Sequence, residues 1–199
     1  MEMIGVLHLF ANVCINIKIS FYFMEMLSEL FNEFGAFGPV ILIFLSMYLL
    51  WNKQNLFFYY TVGVFIDNIL NLILKGIFLQ PRPSIDKKEF DLAFKHGKRF
   101  IFKDGMPYDM FGMPSGHSQS SLFSTVFIYL SLRKNNIGYT YLAISLLTMI
   151  QRVVYNHHSV LQVCVGATIG CCTGYLFYYI ANEKVKGKIR EKPDDFGPI

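Results

Sequence analysis

Two histidines and three cationic side chains stand where apolar segments of this 199-residue sequence begin or end. They are Lys75, Arg82, His117, Arg152 and His158. Cations at the edge of an apolar environment are costly unless an anion accompanies them, and phosphate is the natural anion for lysine and for arginine forks. One imidazole can attack phosphorus and a second can protonate the departing oxygen, and neither step requires a metal ion. The residue types therefore predict phosphoryl transfer without a metal or other cofactor.

The segment that carries His117 begins with Pro114-Ser115-Gly116. A helix start offers unpaired N–H donors and the positive end of the helix dipole, and glycine lets the backbone approach an anion closely. Each piece also has a purely structural explanation, because cations snorkel at helix ends and serine is a common helix cap. We predict a phosphate-binding set that consists of Lys75, Arg82, Ser115, Gly116 and Arg152.

Long apolar runs fill most of the chain and must position these residues. Of all residues 53% are hydrophobic and only 16% are charged, which is unusual for a soluble globule. A hydrocarbon core about 30 Å thick needs roughly 20 apolar residues per helix. We predict an all-α, multi-pass membrane helical bundle with six transmembrane helices at residues 3–27, 36–51, 56–79, 115–132, 137–155 and 158–182. The first segment contains Asn12, Asn16 and Lys18, so whether it spans, lies in the interface or acts as a signal anchor stays open.

The basic residues of the short connections predict the orientation of these spans. Lys53, Arg133, Lys134 and the basic tail after residue 183 fall on one side if six spans alternate, and that side should be cytosolic. The opposite side receives the long loop 80–113 and the residues that could do chemistry. This loop holds seven basic and five acidic residues, which weakens the argument without reversing it. Basic residues confined to loops and a tail do not predict nucleic-acid binding.

Order and spacing now make the residues recognisable. Lys75-x6-Arg82-Pro83, then Pro114-Ser115-Gly116-His117, then Arg152-x5-His158 resembles the three-part signature of the type-2 phosphatidic acid phosphatase superfamily over residues 56–182. The resemblance implies that His158, rather than the adjacent His157, forms a phosphohistidine and that His117 is the general acid. It also implies that the lysine and the two arginines hold the phosphate. The expected organisation is membrane helices at 1–55, a phosphatase core at 56–182 with the loop 80–113, and a cytosolic polar tail at 183–199.

Two positions depart from the general signature, which has serine and aspartate where this sequence has Gln151 and Gln162. We expect Gln162 to act with the two histidines, although its carbonyl oxygen offers only a neutral hydrogen bond to the nucleophilic imidazole. A glutamine at this position also resembles the dolichyl-diphosphatase subgroup, which usually carries serine where this chain has Gly116 and Gln151. That resemblance implies a polyisoprenyl (dolichyl-type) diphosphate substrate and an endoplasmic reticulum membrane, with the site facing the lumen.

Several alternatives stay open. A lipid monophosphate such as phosphatidate is the nearest other substrate. A protein of another class, an inactive headgroup-binding or scaffolding membrane protein, would also be consistent with Gln151 and Gln162. A transporter is disfavoured because the motif charges gather at one membrane face. The expected partners are the lipid substrate and the bilayer, without nucleic acid, and a homodimer stays open.

Overall fold

The computed structural model of the protein describes the backbone of residues 2–103 and 105–186 and the side chains of residues 22–102, 105 and 107–183. Most of the predicted tail 183–199 therefore lies outside the described residues. The elements in chain order are α1 (Glu2–Leu50), α2 (Gln54–Phe78), α3 (Lys87–Lys95), β1 (Phe100–Lys103), β2 (Met106–Asp109), α4 (Gly116–Leu132), α5 (Asn135–Val154) and α6 (Val160–Lys186).

The two N-terminal segments that we predicted separately form one continuous helix, α1. The polar residues between them include Glu29 and Glu33, which interrupt the apolar run but favour helix, and the first proline of the helix is Pro39. Hydropathy reports how well a segment suits lipid, not whether the helix continues. The chain divides into two compact units between Phe34 and Gly35, and every candidate site residue lies in the second unit.

The prediction of an all-α, multi-pass membrane fold is confirmed. Within the part of the chain that the structure describes, four helical stretches are long and apolar enough to cross a membrane, namely Tyr22–Leu50, Gln54–Phe78, Asn135–Val154 and Val160–Glu183. The shorter helix α4 has 17 residues, which corresponds to about 26 Å. It contacts α2, α5 and α6, and residues 118–125 are buried, so α4 is the central helix.

Three glycines on one face of α6 let this helix lie directly against the backbone of α4. They are Gly166, Gly170 and Gly174, one per turn. A methyl group on any of them would collide with a carbonyl oxygen of α4 or of its N-cap, namely that of Ser115, Gln119 or Phe123. Small residues that allow such close approach stabilise helix pairs in membranes. The contact fixes the start of α4 relative to the start of α6.

A buried polar network joins α2, α4 and α6 one to two turns below the site. Asn71 donates from Nδ2 to Oε1 of Gln119 at 2.8 Å. Gln119 donates from Nε2 to Oδ1 of Asp67 at 3.0 Å, and Thr173 donates to the same oxygen at 2.7 Å. Because an unpaired polar group is expensive in this environment, the network specifies how the three helices pack.

The loop 80–113 is largely ordered into α3 and an antiparallel β1–β2 hairpin, which the sequence analysis did not predict. Asp86 caps α3 by accepting from the N–H groups of Lys88 and Glu89. A small apolar cluster under the loop contains Ile85, Phe90, Met110 and Phe111. The loop therefore has a core of its own.

The two ends of this loop are tied together by backbone hydrogen bonds. Arg82 N donates to Met110 O at 3.1 Å, and Gly112 N donates to Gln80 O at 2.7 Å. These bonds bring Arg82, the arginine of the first motif, next to the start of α4. The closed base of the loop thus forms one wall of the site.

Candidate active site

The five motif side chains meet at one end of the helix bundle. Lys75 is in the last turn of α2, Arg82 follows α2, His117 is in the first turn of α4, Arg152 is in the last turn of α5, and His158 lies between α5 and α6. The guanidinium Nη1 of Arg82 is 3.0 Å from Nε2 of His158. The charges of Arg82, Lys75 and His117 all act on the His158 imidazole. The structure therefore brings together the residues that the sequence singled out.

The tautomer of His158 follows from its two hydrogen bonds. Nδ1 is 2.8 Å from the carbonyl oxygen of Gly112, which can only accept, so Nδ1 carries the proton. Nε2 then has the lone pair and accepts from Arg82, because a guanidinium can only donate. Burial, together with the charges of Arg82 and Lys75, lowers the pKa of His158 to about 2. The free site thus presents a neutral imidazole whose unprotonated Nε2 faces the cations.

Gln162 does not make the contact that the sequence analysis expected. Its Nε2 donates to Gln80 Oε1 at 3.0 Å and to Pro81 O at 2.9 Å, and its Oε1 accepts from Ser159 N at 3.2 Å. The imidazole Nδ1 bonds instead to Gly112, whose Cα lies against the Gln162 side chain. The expected hydrogen bond from His158 to Gln162 is therefore wrong, and a backbone carbonyl fills that position.

Two guanidinium groups in the site have no carboxylate partner in the part of the chain that the structure describes. Arg152 is 7% exposed, and its Nε has no hydrogen-bond partner among the described residues. Arg82 is half-buried and bonds to two backbone carbonyls and to His158. Both ion pairs found within the described part of the chain belong to Asp109 instead. Cations that are held out of water in this way require an anionic ligand.

Asp109, at the end of β2, is a site residue that the sequence analysis missed. Its Oδ2 accepts from Lys75 Nζ at 2.9 Å and from Arg99 Nη2 at 3.1 Å, and its carbonyl oxygen accepts from Arg82 Nε at 2.7 Å. Burial raises the pKa of this carboxyl, but Arg99 and Lys75 outweigh burial and hold the pKa below its usual range. No spacing signal in the sequence links Asp109 to these cations, since the β1–β2 hairpin is what brings them together.

The start of α4 supplies fewer free donors than we predicted. Ser115 N donates to Gln162 O at 3.0 Å, so this N–H is not available to a ligand. The backbone N–H groups of Gly116 and His117 have no partner among the described residues. A Cβ at Gly116 would lie 3.2 Å from Asn71 Oδ1, so the close approach that this glycine allows is to α2.

His117 is half-buried and lies beside the cations. It has a hydrogen bond with the backbone of Ala36 in α1, and the charges of Arg152 and Arg82 act on it. Gln151, the other departure from the general signature, is fully buried on α5 and packs against Gly35. His117 therefore has an orienting partner on one side and the cationic site on the other.

The donor set of the site suits an anion. Among the described residues, no three His, Cys, Asp or Glu side chains come together in a way that could hold a metal ion. Lysine, arginine and backbone N–H donors match the oxygens of a phosphoryl group. A neutral imidazole beside them is a suitable nucleophile for phosphorus.

Comparison with known proteins agrees with this chemistry. A dolichyldiphosphatase of Saccharomyces cerevisiae is 29% identical over 177 residues, which cover 84% of this chain and 67% of the yeast protein. The crystal structure of LpxE from Aquifex aeolicus matches with a TM-score of 0.59 at 21% identity, covering 77% of this chain and 86% of that one. The structure of a transmembrane PAP2-type phosphatidylglycerolphosphate phosphatase from Bacillus subtilis matches with a TM-score of 0.56 at 21% identity, covering 82% and 80%.

The sequence model of the PAP2 superfamily matches residues 56–186, a stretch that contains every site residue described above. The order of the motifs, their convergence at one end of the bundle and the fold of the two solved structures agree with this match. The chain therefore belongs to the PAP2 superfamily and is a membrane lipid phosphatase.

Proposed function

We propose that this phosphatase removes the terminal phosphate of a polyisoprenyl (dolichyl-type) diphosphate through a phosphohistidine at His158, without a metal ion. The observation that carries the proposal is the orientation of His158. Its Nδ1 proton is committed to Gly112 O, which leaves the Nε2 lone pair beside Arg82. The guanidinium of Arg152, whose Nε has no hydrogen-bond partner among the described residues, provides the second cationic contact for the phosphate oxygens.

In the first step, a phosphate oxygen takes over the N–H donor of Arg82, and Nε2 of His158 becomes free to attack the terminal phosphorus. The new N–P bond forms as the bond from phosphorus to the bridging oxygen breaks. The leaving lipid monophosphate takes a proton from His117, whose imidazolium form is stabilised by the negative charge of the bound substrate. Lys75, Arg82, Arg152 and the N–H groups of Gly116 and His117 stabilise the negative charge on the equatorial oxygens.

In the second step, water attacks the phosphorus of the phosphohistidine. Neutral His117 accepts a proton from this water, so it returns to its starting state, and the N–P bond breaks to leave His158 with its lone pair restored. Inorganic phosphate then departs. The hydrogen bond to Gly112 O stabilises the positive charge that the His158 ring carries in the intermediate.

The proposed substrate class rests on two observations. The yeast relative is a dolichyldiphosphatase, and Gln162 occupies the position where the sequence resembles that subgroup. Phosphatidate is the second candidate substrate. The basic residues of the short connections lie at one end of the long helices from α2 to α6, and the site lies at the other end. This arrangement supports a cytosolic end near Lys53 and a site that faces the lumen of the endoplasmic reticulum.

The deciding experiment is phosphate release from dolichyl diphosphate and from phosphatidate by the purified full chain in detergent with a chelator present. We expect chelator-resistant release that is faster from the diphosphate and that is abolished in His158→Ala. Acid-labile label from terminally labelled substrate should remain on His157→Ala and be absent from His158→Ala. Loss of release on chelation would contradict the metal-free mechanism, and label on a protein without His158 would contradict the assignment of the nucleophile.

A binding or scaffolding role without turnover is the alternative of another class. Gln151 and Gln162 favour this alternative because they replace the serine and aspartate of the general signature, whereas the carbonyl of Gly112 supplies an acceptor in place of the aspartate. No phosphate release from either lipid by a folded protein that still binds them would favour this alternative.

A further inference from the structure

Arg99, which lies outside the three signature motifs, shares a carboxylate with the phosphate-site lysine. Asp109 Oδ2 accepts from Lys75 Nζ at 2.9 Å and from Arg99 Nη2 at 3.1 Å. Arg99 Nε donates to the other oxygen of the same carboxylate at 3.2 Å. The two cationic groups are therefore neighbours across a single oxygen atom, and an anion that reaches one is close to the other.

The guanidinium of Arg99 is held in place by several contacts, but these contacts do not occupy all of its N–H donors. Its Cζ atom lies 5.3 Å from the centroid of the Phe111 ring and 5.6 Å from the centroid of the Phe100 ring. Two of its five N–H groups bond to Asp109, and a third approaches Leu72 O at 3.5 Å, which leaves two N–H groups without a partner among the described residues. The side chain is 26% exposed, so part of it is open to solvent.

Arg99 also lies against the outer surface of α2. Leu72 belongs to the membrane-spanning helix α2, and its side chain is 52% exposed on the outer surface of that helix. Arg99 therefore stands between the buried cations of the site and the lipid-facing surface of α2.

The balance of charges in the site also favours a diphosphate over a monophosphate. The site contains the cations Lys75, Arg82, Arg99 and Arg152, and Asp109 is the only carboxylate that pairs with any of them in the described part of the chain. A diphosphate carries more negative charge than a monophosphate, and its second phosphate is joined to the first by one bridging oxygen. Four cations around one carboxylate suit the diphosphate better.

We propose that Arg99 binds the lipid-attached phosphate of a diphosphate substrate, while Lys75, Arg82 and Arg152 bind the terminal phosphate that His158 attacks. Asp109 is a positioning residue that holds Arg99 and Lys75 at the right separation for the two phosphates. This inference rests on the proposed function, and it assigns the preference for diphosphates to a residue outside the signature.

The test compares Arg99→Gln, which retains a donor for Asp109, with Lys98→Gln, which removes an exposed neighbouring charge. Values of kcat/KM are measured on a polyisoprenyl diphosphate and on the matching monophosphate. We expect Arg99→Gln to lower the ratio of the two values at least tenfold, chiefly through KM of the diphosphate, and Lys98→Gln to leave the ratio unchanged. An equal loss on both substrates, or no change in the ratio, overturns the proposal.

A binding measurement separates this inference from the proposed reaction. Methylene bisphosphonate and methylphosphonate are added to His158→Ala protein, with and without Arg99→Gln, and the shift in unfolding temperature is recorded. The proposal requires that the bisphosphonate shift the unfolding temperature of His158→Ala more than methylphosphonate does. This difference should disappear in the double variant that also carries Arg99→Gln. If the wild type releases phosphate from neither lipid, the proposed function fails, whereas a bisphosphonate preference that survives Arg99→Gln overturns the Arg99 site alone.

Discussion

Gly112 and His158 are 46 positions apart in the sequence and are joined by a hydrogen bond of 2.8 Å from the imidazole Nδ1 to the carbonyl oxygen. In a site built on the general signature, an aspartate would orient this ring. Here the orientation comes from the backbone, just before the cis peptide bond between Met113 and Pro114. A backbone carbonyl cannot be deleted by a side-chain substitution.

The low pKa of His158 predicts a specific dependence of stability on pH. An unfolded histidine has a pKa of about 6.5, whereas the folded value is about 2. Below pH 6.5 the unfolded chain binds a proton that the folded protein does not, so the His158 contribution to stability falls as the pH falls, by about 1.4 kcal/mol per unit. His158→Gln should lose less stability than the wild type between pH 6.5 and pH 4.5, as measured by unfolding in detergent. Parallel curves for the two proteins would refute the assignment.

Gln162→Glu should lower kcat/KM, although the general signature has an acid at this position. An ionised carboxylate cannot donate to Gln80 Oε1 or Pro81 O, and it leaves these half-buried acceptors unpaired at a cost of about 1 kcal/mol or more. We expect a loss of roughly tenfold or more at pH 8 that lessens as the assay pH falls and the carboxyl is protonated. Gln54→Glu, at the exposed start of α2, is the matched control. Full activity of Gln162→Glu at every pH would mean that the two hydrogen bonds do not matter.

Asp109→Asn should destabilise the substrate-free protein because Lys75 and Arg99 lose their counter-charge. Breaking such a partly buried pair costs roughly 3 kcal/mol. Since the folded pKa of Asp109 is depressed, its contribution is present above the unfolded value near 3.9 and is lost as the pH falls through the folded pKa. The variant and the wild type should therefore converge in acid. Exposed Asp91→Asn is the control, and added phosphate should stabilise Asp109→Asn more than the wild type.

Arg152→Met should raise the stability of the free protein and abolish its turnover. The substitution removes a buried cation whose Nε lacks a partner among the described residues, and it keeps most of the side-chain volume. Unfolding in detergent without phosphate measures the gain, and the same experiment with orthovanadate measures the lost anion binding. Lower stability of Arg152→Met in the absence of any anion would contradict the view that this cation is unpaired.

Gly170→Leu should disrupt the packing of α6 on α4, because its side chain would collide with the backbone of α4 at Gln119. Overpacking of this kind costs about 1–3 kcal/mol or more. Gly76→Ala is the matched control, since a Cβ at Gly76 meets nothing within 4 Å and alanine favours helix by about 1 kcal/mol. The measurement is the unfolding temperature of each variant, and similar effects at both positions would count against the close contact.

Much of the helical architecture could be predicted from the sequence because lipid imposes long apolar runs. The starts of α2 and α4 and the end of α5 fall within two residues of the predicted segment boundaries. The continuity of α1 could not be predicted, because Glu29 and Glu33 change hydropathy without breaking a helix.

The signature residues could likewise be found from the sequence, since their order and spacing are local properties. The contacts that Asp109, Arg99 and Gly112 make could not, because they depend on how the loop 80–113 folds back on itself. The mistaken partner for Gln162 has the same origin. A signature position was assumed to keep its contact, while the glutamine side chain reaches Gln80 and Pro81 instead.

The closed base of the loop 80–113 makes its distal turn a modular part of the protein. The bonds between Gly112 and Gln80 and between Arg82 and Met110 hold the site together independently of the turn that connects β1 and β2. The turn at Gly105 has a positive φ of 78°, and a Cβ there meets no neighbour. An epitope tag inserted at Gly105 should therefore leave catalysis intact and report, by antibody access in sealed vesicles, which compartment the active site faces.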